Sequence, residues 1–277
     1  MKLLPTHPLP AILLCMIGIF SGNSYSAPLD IVVGGSGTNL GSLRALLSAF
    51  TQQHPAIHSK VLSSLGSSGA MRALHAGKIT LAATSRPLSE KEASGVRFVR
   101  YATTPFQFAV ASNAHAVPPG PVDKQQIREI YCPDNSMATP AAHFRPIIRP
   151  KSDSDTLMLL AAFPDLSDCI MTPYGMKGFP VATSDQEAAS MMESIPRAIG
   201  TTSLTVIRSE GWNLTPVLVE DEQGNVRPIG TKSLFLAIAE EAGSSQLRAF
   251  LQFILSPQGQ QILRETGNEP IPFTLPD

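Results

Sequence analysis

The sequence predicts an α/β protein, and three observations support that class. Short apolar runs at residues 30–33, 57–65 and 79–84 have the length of buried strands, and helical stretches stand between them. This alternation of strand and helix is typical of an α/β layer with parallel pairing. Stretches rich in glycine, serine and threonine also recur where a predicted strand passes into a helix.

These three junctions are residues 34–40, 66–71 and 152–157. A helix start leaves about four backbone N–H groups without partners and carries roughly half a positive charge. Small hydroxyl residues can cap the helix there, or they can leave those donors free for an anion. One such junction is ordinary capping. Three in one chain predict helix starts that converge on an anionic or strongly polar ligand.

The other elements follow from periodicity and from residues that end helices. Apolar residues at helical spacing predict a helix over residues 40–53, which His54 and Pro55 end. Residues 234–239 fit a strand, although a helix start fits there as well. The same reasoning predicts strands at residues 104–112, 147–148, 181–182, 198–200 and 217–219, and helices at residues 70–75, 123–131, 156–163, 184–192, 246–255 and from 256 onwards.

Composition and motifs exclude several functional classes. The chain has 277 residues, of which 43% are hydrophobic and 16% charged, and its net charge of −1 lacks the basic surplus of a nucleic-acid-binding protein. The six histidines are scattered, so no metal site is predicted. Residues 34–40 lack the third glycine of a dinucleotide fingerprint, and Ser67-Ser68-Gly69 is not a nucleophile elbow. We therefore expect neither an enzyme nor a cofactor.

The N-terminus predicts a cleaved export signal. Lys2 precedes an apolar run at residues 11–20 that is too short to span a membrane, and small residues follow at 24–26. Cleavage after Ser26 would leave 251 of the 277 residues as a soluble periplasmic protein. Cys15 lies inside the apolar run, and Leu14 precedes it where lipid attachment needs a small residue, so we do not expect lipidation.

Cys132 and Cys169 are the cysteines that remain after this cleavage. In an oxidising compartment they can form one disulfide. Two separate buried thiols fit the sequence equally well, because spacing along the chain does not establish proximity in space. The sequence leaves these alternatives open.

Four motifs, taken in order, resemble the phosphate-binding-protein branch of the periplasmic substrate-binding proteins of ABC transporters. The motifs are residues 66–69, 82–89, 196–200 and 250–259. Each is weak alone, but together they extend over nearly the whole mature chain. The resemblance implies a two-lobed periplasmic-binding-protein fold, in which each lobe is a mixed sheet flanked by helices and crossover strands form a hinge. It implies a signal peptide at residues 1–26, lobe one at residues 27–108 plus 234–277, and lobe two at residues 109–233.

The resemblance also implies a ligand site built from three loops. Residues of the first two loops belong to lobe one, and Arg149 with the helix start after it belongs to lobe two. The implied ligand-binding residues are Thr38, Asn39, Ser67, Ser68, Ser85, Arg86, Arg149, Ser154, Asp155 and Thr156. Helix capping is the alternative role for the residues at helix starts. Pairing with Glu90 or Glu92 is the alternative role for Arg86.

Two departures from the family pattern concern phosphate. Ser85 stands where the phosphate receptors have an aspartate, and loss of that acceptor weakens selection for a protonated oxyanion. Asp155 stands in place of a glycine, and the spacing from Arg149 is one residue longer. A carboxylate at a helix start competes with a bound anion for the same donors. Arg86 and Arg149 can offset this repulsion, because a guanidinium suits oxyanions.

The predicted function is therefore capture of a small oxyanion or related polar solute for the membrane permease of an ABC transporter. The alternative is a periplasmic sensor or interaction module that kept the fold, changed its cleft and reports to a membrane partner. We expect a monomer with no nucleic-acid partner.

Overall fold

The computed structural model describes residues 30–112, 120–132, 144–240 and 244–275. The predicted signal peptide and Cys15 lie outside these residues. The strands are β1 Ile31–Gly35, β2 Ser59–Val61, β3 Leu81–Thr84, β4 Val96–Ala111, β5 Arg145–Ile147, β6 Ala198–Ser203, β7 Leu214–Val217, β8 Val219–Glu220, β9 Val226–Arg227, β10 Gly230–Ala239 and β11 Glu269–Pro270. The α-helices are α1 Gly37–Gln53, α2 Gly66–His75, α3 Glu90–Ala93, α4 Lys124–Tyr131, α5 Ser154–Ala162, α6 Ser167–Met171, α7 Asp185–Ser194, α8 Leu204–Glu210, α9 Ser245–Leu255 and α10 Pro257–Glu265.

The main sheet has the order β2-β1-β3-β10-β4-β6-β5, and β7 and β11 also pair with β4. β1 is parallel to both β2 and β3, and β5 is parallel to β6. β10 is antiparallel to β3 and β4, and β4 is antiparallel to β6, so the sheet is mixed. The predicted α/β class with parallel pairing near the N-terminus is confirmed.

The long strand β4 connects two lobes. Its first part pairs with β10 as far as Phe106, and from Phe106 onwards it pairs with β6. We define the first lobe as the part of the chain that contains β1–β3, α1, α2, α9 and α10. The second lobe contains β5, β6 and α4–α7. The predicted two-lobed fold with crossover strands is confirmed, whereas the exact residue boundaries given for each lobe remain a prediction.

Apolar clusters on both faces of each half of the sheet hold the lobes together. In the first lobe, α1 and α9 pack on one face through Phe50 and Phe250, and α2 packs on the other face through Met71. In the second lobe, α4 contributes Ile127 to one cluster, and α7 contributes Met192 to another. Burial of such side chains stabilises a fold by about 1.5–3 kcal/mol each relative to exposure, which fixes the helices that carry the site.

Some elements differ from the sequence-based expectation. β2 covers only Ser59–Val61 and pairs with β1 alone, so this edge strand is shorter than residues 57–65. Val181 makes an isolated bridge to Ile148 in place of a strand. α8 forms between the strands predicted at residues 198–200 and 217–219, where no helix was predicted; it packs against α1, and Gly211 ends it with φ 70°. Residues 234–239 belong to β10, so the helix-start alternative is wrong.

Cys132 and Cys169 form a disulfide with a Cα–Cα distance of 5.0 Å. It joins the end of α4 to α6 within the second lobe. This resolves the alternatives that the sequence left open. Among the described residues, no helix combines the length and the apolar character needed to cross a membrane.

Candidate solute-binding cleft

A cleft of about 600 Å³ lies between the two lobes. Its polar lining comes from β1–α1, from the start of α2, from the segment after β3, from the loop before α5, from the start of α7 and from β10. Six predicted ligand-binding residues line it: Ser67, Ser68, Ser85, Arg86, Arg149 and Ser154. The other four, Thr38, Asn39, Asp155 and Thr156, are buried and do not line it. The structure therefore brings part of the predicted set together at one surface.

The start of α1 is occupied by a carboxylate from the second lobe. The Thr38 N–H donates to Asp185 Oδ2 at 3.1 Å, and the Thr38 hydroxyl donates to Asp185 Oδ1 at 3.2 Å. Lys232 Nζ donates to Thr38 Oγ1 at 3.3 Å and lies 3.8 Å from Asp185 Oδ1. Asp185 is the first residue of α7. The donors that the sequence assigned to a ligand are thus used by the chain itself.

Asn39 is held inside the first lobe. Its N–H donates to Ser36 O at 3.0 Å, and its side-chain amide donates to Ser36 Oγ at 2.9 Å. Its Oδ1 accepts from the Tyr101 hydroxyl at 2.9 Å. Asn39 therefore fixes the β1–α1 junction to β4, and its contact with a ligand remains a prediction.

Two carboxylates, those of Asp153 and Asp155, lie at the start of α5. Asp153 caps it by accepting from the Asp155 N–H at 2.9 Å, and the Asp155 carboxylate pairs with Lys232. Burial raises the pKa of Asp155 to about 6, because it outweighs the attraction of Lys232 and because Asp185 and Asp153 add repulsion. The predicted competition between Asp155 and a bound anion has a different geometry in the fold, since this carboxylate lies on Lys232 behind the cleft lining.

Thr156 holds the turn that follows Arg149. Its hydroxyl donates to Arg149 O at 3.2 Å and to Pro150 O at 3.0 Å, and it shares a hydrogen bond with the Tyr174 hydroxyl. Thr156 therefore supports the loop that carries Arg149 to the cleft.

Arg149 is the buried cation of the second lobe that lines the cleft. It is 5% exposed. One terminal nitrogen donates to Ala182 O at 3.2 Å and the other to Asp153 Oδ2 at 2.9 Å. Its Nε has no hydrogen-bond partner within the described part of the chain. Burial lowers the pKa of Arg149, but Asp185, Asp155 and Asp153 outweigh it and raise the pKa, so the guanidinium is charged.

The starts of α1 and α2 both lack a cap from the N-cap side chain and an acidic residue in the first turn. They differ because α1 receives Asp185, whereas at α2 only the Gly66 N–H meets a side chain of the described residues, Ser64 Oγ at 3.5 Å. Ser67 Oγ accepts from the Ser85 N–H at 3.2 Å, and Ser85 Oγ lies 3.5 Å from Ser154 Oγ of the second lobe. Gly66 has φ +66°, and an added Cβ would meet no atom within 4 Å. Uncapped N–H groups and hydroxyls at this start favour an anionic or polar ligand.

Arg86 makes a two-pronged ion pair with Glu92. Its terminal nitrogens donate to Glu92 Oε2 at 2.8 Å and to Oε1 at 2.7 Å, and one also donates to Ser68 Oγ at 2.9 Å. The Arg86 hydrogen bond lowers the pKa of Glu92 to about 2. The pairing that the sequence offered as the alternative is therefore present, while Arg86 also lines the cleft.

Lys232 and Asp185 are the residues that sequence reasoning missed. Lys232 is fully buried, with its Nζ 5.0 Å from the centre of the Phe106 ring. The available signal was a single charged residue in β10, because lysine is almost never fully buried unless it is paired. Asp185 stands at the start of the helix predicted at residues 184–192, where capping is the ordinary role of an aspartate. In the structure Ser184 accepts from the Glu187 N–H, which leaves Asp185 to reach α1. No cluster of three metal-ligating side chains occurs in the described ranges.

The comparisons with known proteins identify the family. The family profile described as PBP superfamily domain matches residues 22–258. The chain belongs to the PBP superfamily. No curated protein sequence matches it significantly.

Solved structures show the same PBP fold. A Clostridium perfringens protein, assigned as a phosphate ABC transporter substrate-binding protein and solved with bound phosphate, has a TM-score of 0.66 at 17% identity, covering 87% of this chain and 99% of that chain. An ABC-type phosphate transport receptor from Vibrio cholerae has a TM-score of 0.57 at 17% identity, covering 87% and 100%. The CcmR regulatory domain from Synechocystis, in complex with 2-PG, has a TM-score of 0.55 at 15% identity, covering 81% and 95%. The PBP fold of this chain is thus similar both to transport receptors and to a regulatory domain.

Proposed function

We propose that this chain is a periplasmic solute-binding protein that captures a small oxyanion, phosphate or a phosphate-like solute, for uptake by an ABC transporter. Membership of the PBP superfamily and the fold shared with two phosphate transport proteins support a binding role without catalysis. The export signal predicted at residues 1–26 supports the periplasm as its location.

The observation that carries the proposal is the composition of the cleft. Arg149 lines it from the second lobe, and the uncapped start of α2, with Ser67 and Ser68, lines it from the first. Hydrogen bonds from a charged guanidinium to an oxyanion are about twice as strong as neutral ones. Hydroxyls and helix N–H groups complete such a site from the opposite side. The volume of about 600 Å³ lies within the usual range of small-molecule sites.

Binding and release follow from the hinge. β4 and β10 run between the lobes, so a small change in their backbone angles opens the cleft without breaking the core of either lobe. A solute that contacts both lobes stabilises the closed form by its differential affinity for that form. The closed complex is the form that a permease would recognise.

A screen on the purified mature protein tests the proposal. Phosphate, sulfate and a set of phosphonates should include a solute that raises the unfolding temperature and gives a saturable calorimetric isotherm, because a ligand that binds only the folded state stabilises it by about 2.7 kcal/mol at 100 times Kd. Arg149→Lys should weaken binding of that solute by about 1.5–3 kcal/mol, since the charge stays but the fork is lost.

Arg86→Lys is the matched control, because both terminal nitrogens of Arg86 bind the Glu92 carboxylate, whereas only one of Arg149 binds a carboxylate, so Arg86→Lys should change the affinity far less than Arg149→Lys. Absence of binding by every oxyanion in the set would contradict the proposal. Equal losses of affinity in the two variants would show that Arg149 is not the main solute-binding cation.

One observation favours a second candidate, a periplasmic sensor or interaction module. The oxyanion donors at the start of α1 are already taken by Asp185, and the same fold serves a regulatory domain in Synechocystis. Adjacent genes for a permease and an ATPase would support uptake. An adjacent gene for a histidine kinase or a cyclase would support sensing.

A further inference from the structure

The Asp185 carboxylate receives the contacts that a bound oxyanion would receive. One oxygen accepts from the Thr38 N–H at the start of α1, and the other accepts from the Thr38 hydroxyl. The fully buried ammonium of Lys232 lies 3.8 Å from that second oxygen. A backbone N–H at a helix start, a hydroxyl and a buried cation form a complete oxyanion site. Asp185 is 6% exposed, so this occupancy is not a surface contact.

The contact is not local helix capping. Asp185 comes from α7 in the second lobe and stands 147 positions along the chain from Thr38. The next residue makes a second hydrogen bond between the two lobes: Gln186 Nε2 donates to Gly37 O at 3.1 Å. A Cβ built on Gly37 would lie 2.5 Å from Asp185 Oδ2, so the close approach depends on this glycine. The start of α1 therefore has the small residue that the approach requires, and the start of α7 supplies the side chains that make the contacts.

We propose that Asp185 is an internal ligand that fills the oxyanion position at the start of α1 and thereby determines which solutes the cleft accepts. A free tetrahedral oxyanion is excluded from that position, and the transported solute is confined to the side of the cleft formed by Arg149 and the start of α2. This confinement of the transported solute rests on the function proposed above. The occupancy of the α1 position by Asp185 does not.

Charge explains why a free ion does not displace Asp185. Around Lys232 the chain already places two carboxylates, those of Asp155 and Asp185. An added oxyanion would bring further negative charge into a buried cluster in which carboxylates outnumber cations. Asp185 is also tethered, so its effective concentration at the start of α1 exceeds that of an ion in solution.

The pKa of Asp185 agrees with this role. Burial raises it, but Lys232, Arg149 and the two Thr38 donors together outweigh burial and hold the pKa below the usual value. The carboxylate is therefore ionised at neutral pH, as an occupant of an oxyanion site must be.

The start of α2 is the part of the cleft that remains open. α5 is capped by Asp153 and α1 is filled by Asp185, whereas at α2 the Ser67 and Ser68 N–H groups meet no carboxylate in the described part of the chain and only the Gly66 N–H contacts a side chain, Ser64 Oγ at 3.5 Å. Leu65 and Leu157 stand at the cleft on opposite lobes and are 40% and 54% exposed. A solute bound here therefore meets polar donors together with exposed apolar side chains.

The test follows the Thr38 amide by nuclear magnetic resonance during titration with inorganic phosphate. In Asp185→Ala the amide should shift saturably, and calorimetry should show phosphate bound at least tenfold more tightly than by Asp185→Asn. The asparagine keeps the volume and blocks the position, while alanine opens it. Glu193→Gln, an exposed change on the same helix α7, should behave as the wild type.

In the wild type the Thr38 amide should not respond to phosphate, even when the amides of Ser67 or Ser68 do. A saturable wild-type shift at Thr38 would overturn the proposal, and this arm needs no folded variant. A silent Thr38 amide in folded Asp185→Ala would overturn it as well. Failure of the wild type to bind any solute contradicts the proposed function instead, and the Asp185→Ala titration still decides the internal ligand.

Discussion

At the residue scale, the ionic cluster at the cleft combines binding chemistry with a cost in stability. Lys232 is fully buried and contacts Asp155 and Asp185, and Arg149 contacts Asp153. Desolvation of buried ions costs several kcal/mol per ion, so such clusters rarely contribute much net stability. Removing one partner alone is strongly destabilising, by about 3–5 kcal/mol, because it leaves the other charge without a counterion. The cluster therefore fixes geometry more than it stabilises the fold.

Asp155→Asn should change how stability depends on pH. The five charges that face one another here are Asp155, Lys232, Asp185, Asp153 and Arg149, and burial raises the Asp155 pKa from 3.8 to about 6. Between these values the folded state binds more protons than the unfolded state, so this group makes the free energy of unfolding fall as pH rises. Asparagine does not titrate, so Asp155→Asn loses this pH dependence. Variant minus wild-type stability should therefore rise by up to about 3 kcal/mol from pH 4 to pH 7, at no more than about 1.4 kcal/mol per pH unit.

Urea unfolding at pH 4, 5, 6 and 7 measures this difference. Asp165→Asn is the control, because Asp165 is exposed and the Lys124 contact lowers its pKa below 3.8, so its pH dependence lies below the measured range and its profile should run nearly parallel to the wild type. Parallel pH profiles for wild type and Asp155→Asn would show that Asp155 has no raised pKa.

At the element scale, three helix starts that look alike in sequence differ in the groups that contact their N–H donors. The start of α1 binds Asp185, the start of α5 is capped by Asp153, and the start of α2 stays uncapped. The junctions were predicted at the correct places because glycine, serine and threonine there report local backbone preferences. Which of them faces a ligand depends on side chains far away in sequence, and helix periodicity carries no information about those.

The disulfide between α4 and α6 makes a prediction at the same scale. It closes a loop with a sequence separation of 37 residues. Replacing both Cys132 and Cys169 with serine should lower the free energy of unfolding by about 3–4 kcal/mol, because the unfolded chain regains the entropy that the crosslink removed. Denaturant unfolding of wild type and double variant measures the loss. Wild type under reducing conditions should approach the variant, and equal stabilities under oxidising conditions would contradict the structural role.

At the scale of the whole molecule, β4 and β10 couple the two lobes to the cleft. Phe106 of β4 pairs with Gly230 of β10 on one side and with Ser203 of β6 on the other, so the sheet passes from one lobe to the other at this residue. Lys232 follows two residues after Gly230 and contacts both Asp155 of the second lobe and Thr38 of the first. The buried lysine therefore links the hinge region to the contacts that join the lobes.

Export is the prediction for the whole chain. Intact-mass analysis of protein recovered from the periplasm should show loss of the first 26 residues, because a charged start, a short apolar run and small residues at 24–26 form a cleavable signal. Substituting Ser26 by a bulky residue should impair cleavage, and the same substitution at Asn23, outside these small residues, should have less effect. A full-length cytosolic product, or a diacylated Cys15, would contradict the predicted export.

The sequence by itself determined the α/β class, the junctions at which α1, α2 and α5 begin and the family, through apolar periods, helix-start residues and the order of short motifs. Those signals are local, because strand and helix periods depend on neighbouring residues. Six of the ten predicted ligand-binding residues line the cleft for the same reason, since they stand at helix starts or strand ends. Only the tertiary structure decided the role of Asp185 and Lys232, which meet Thr38 from 147 and 194 positions away. A buried charge is stabilised by whatever counterion the fold places beside it, and that pairing is fixed by packing of the two lobes.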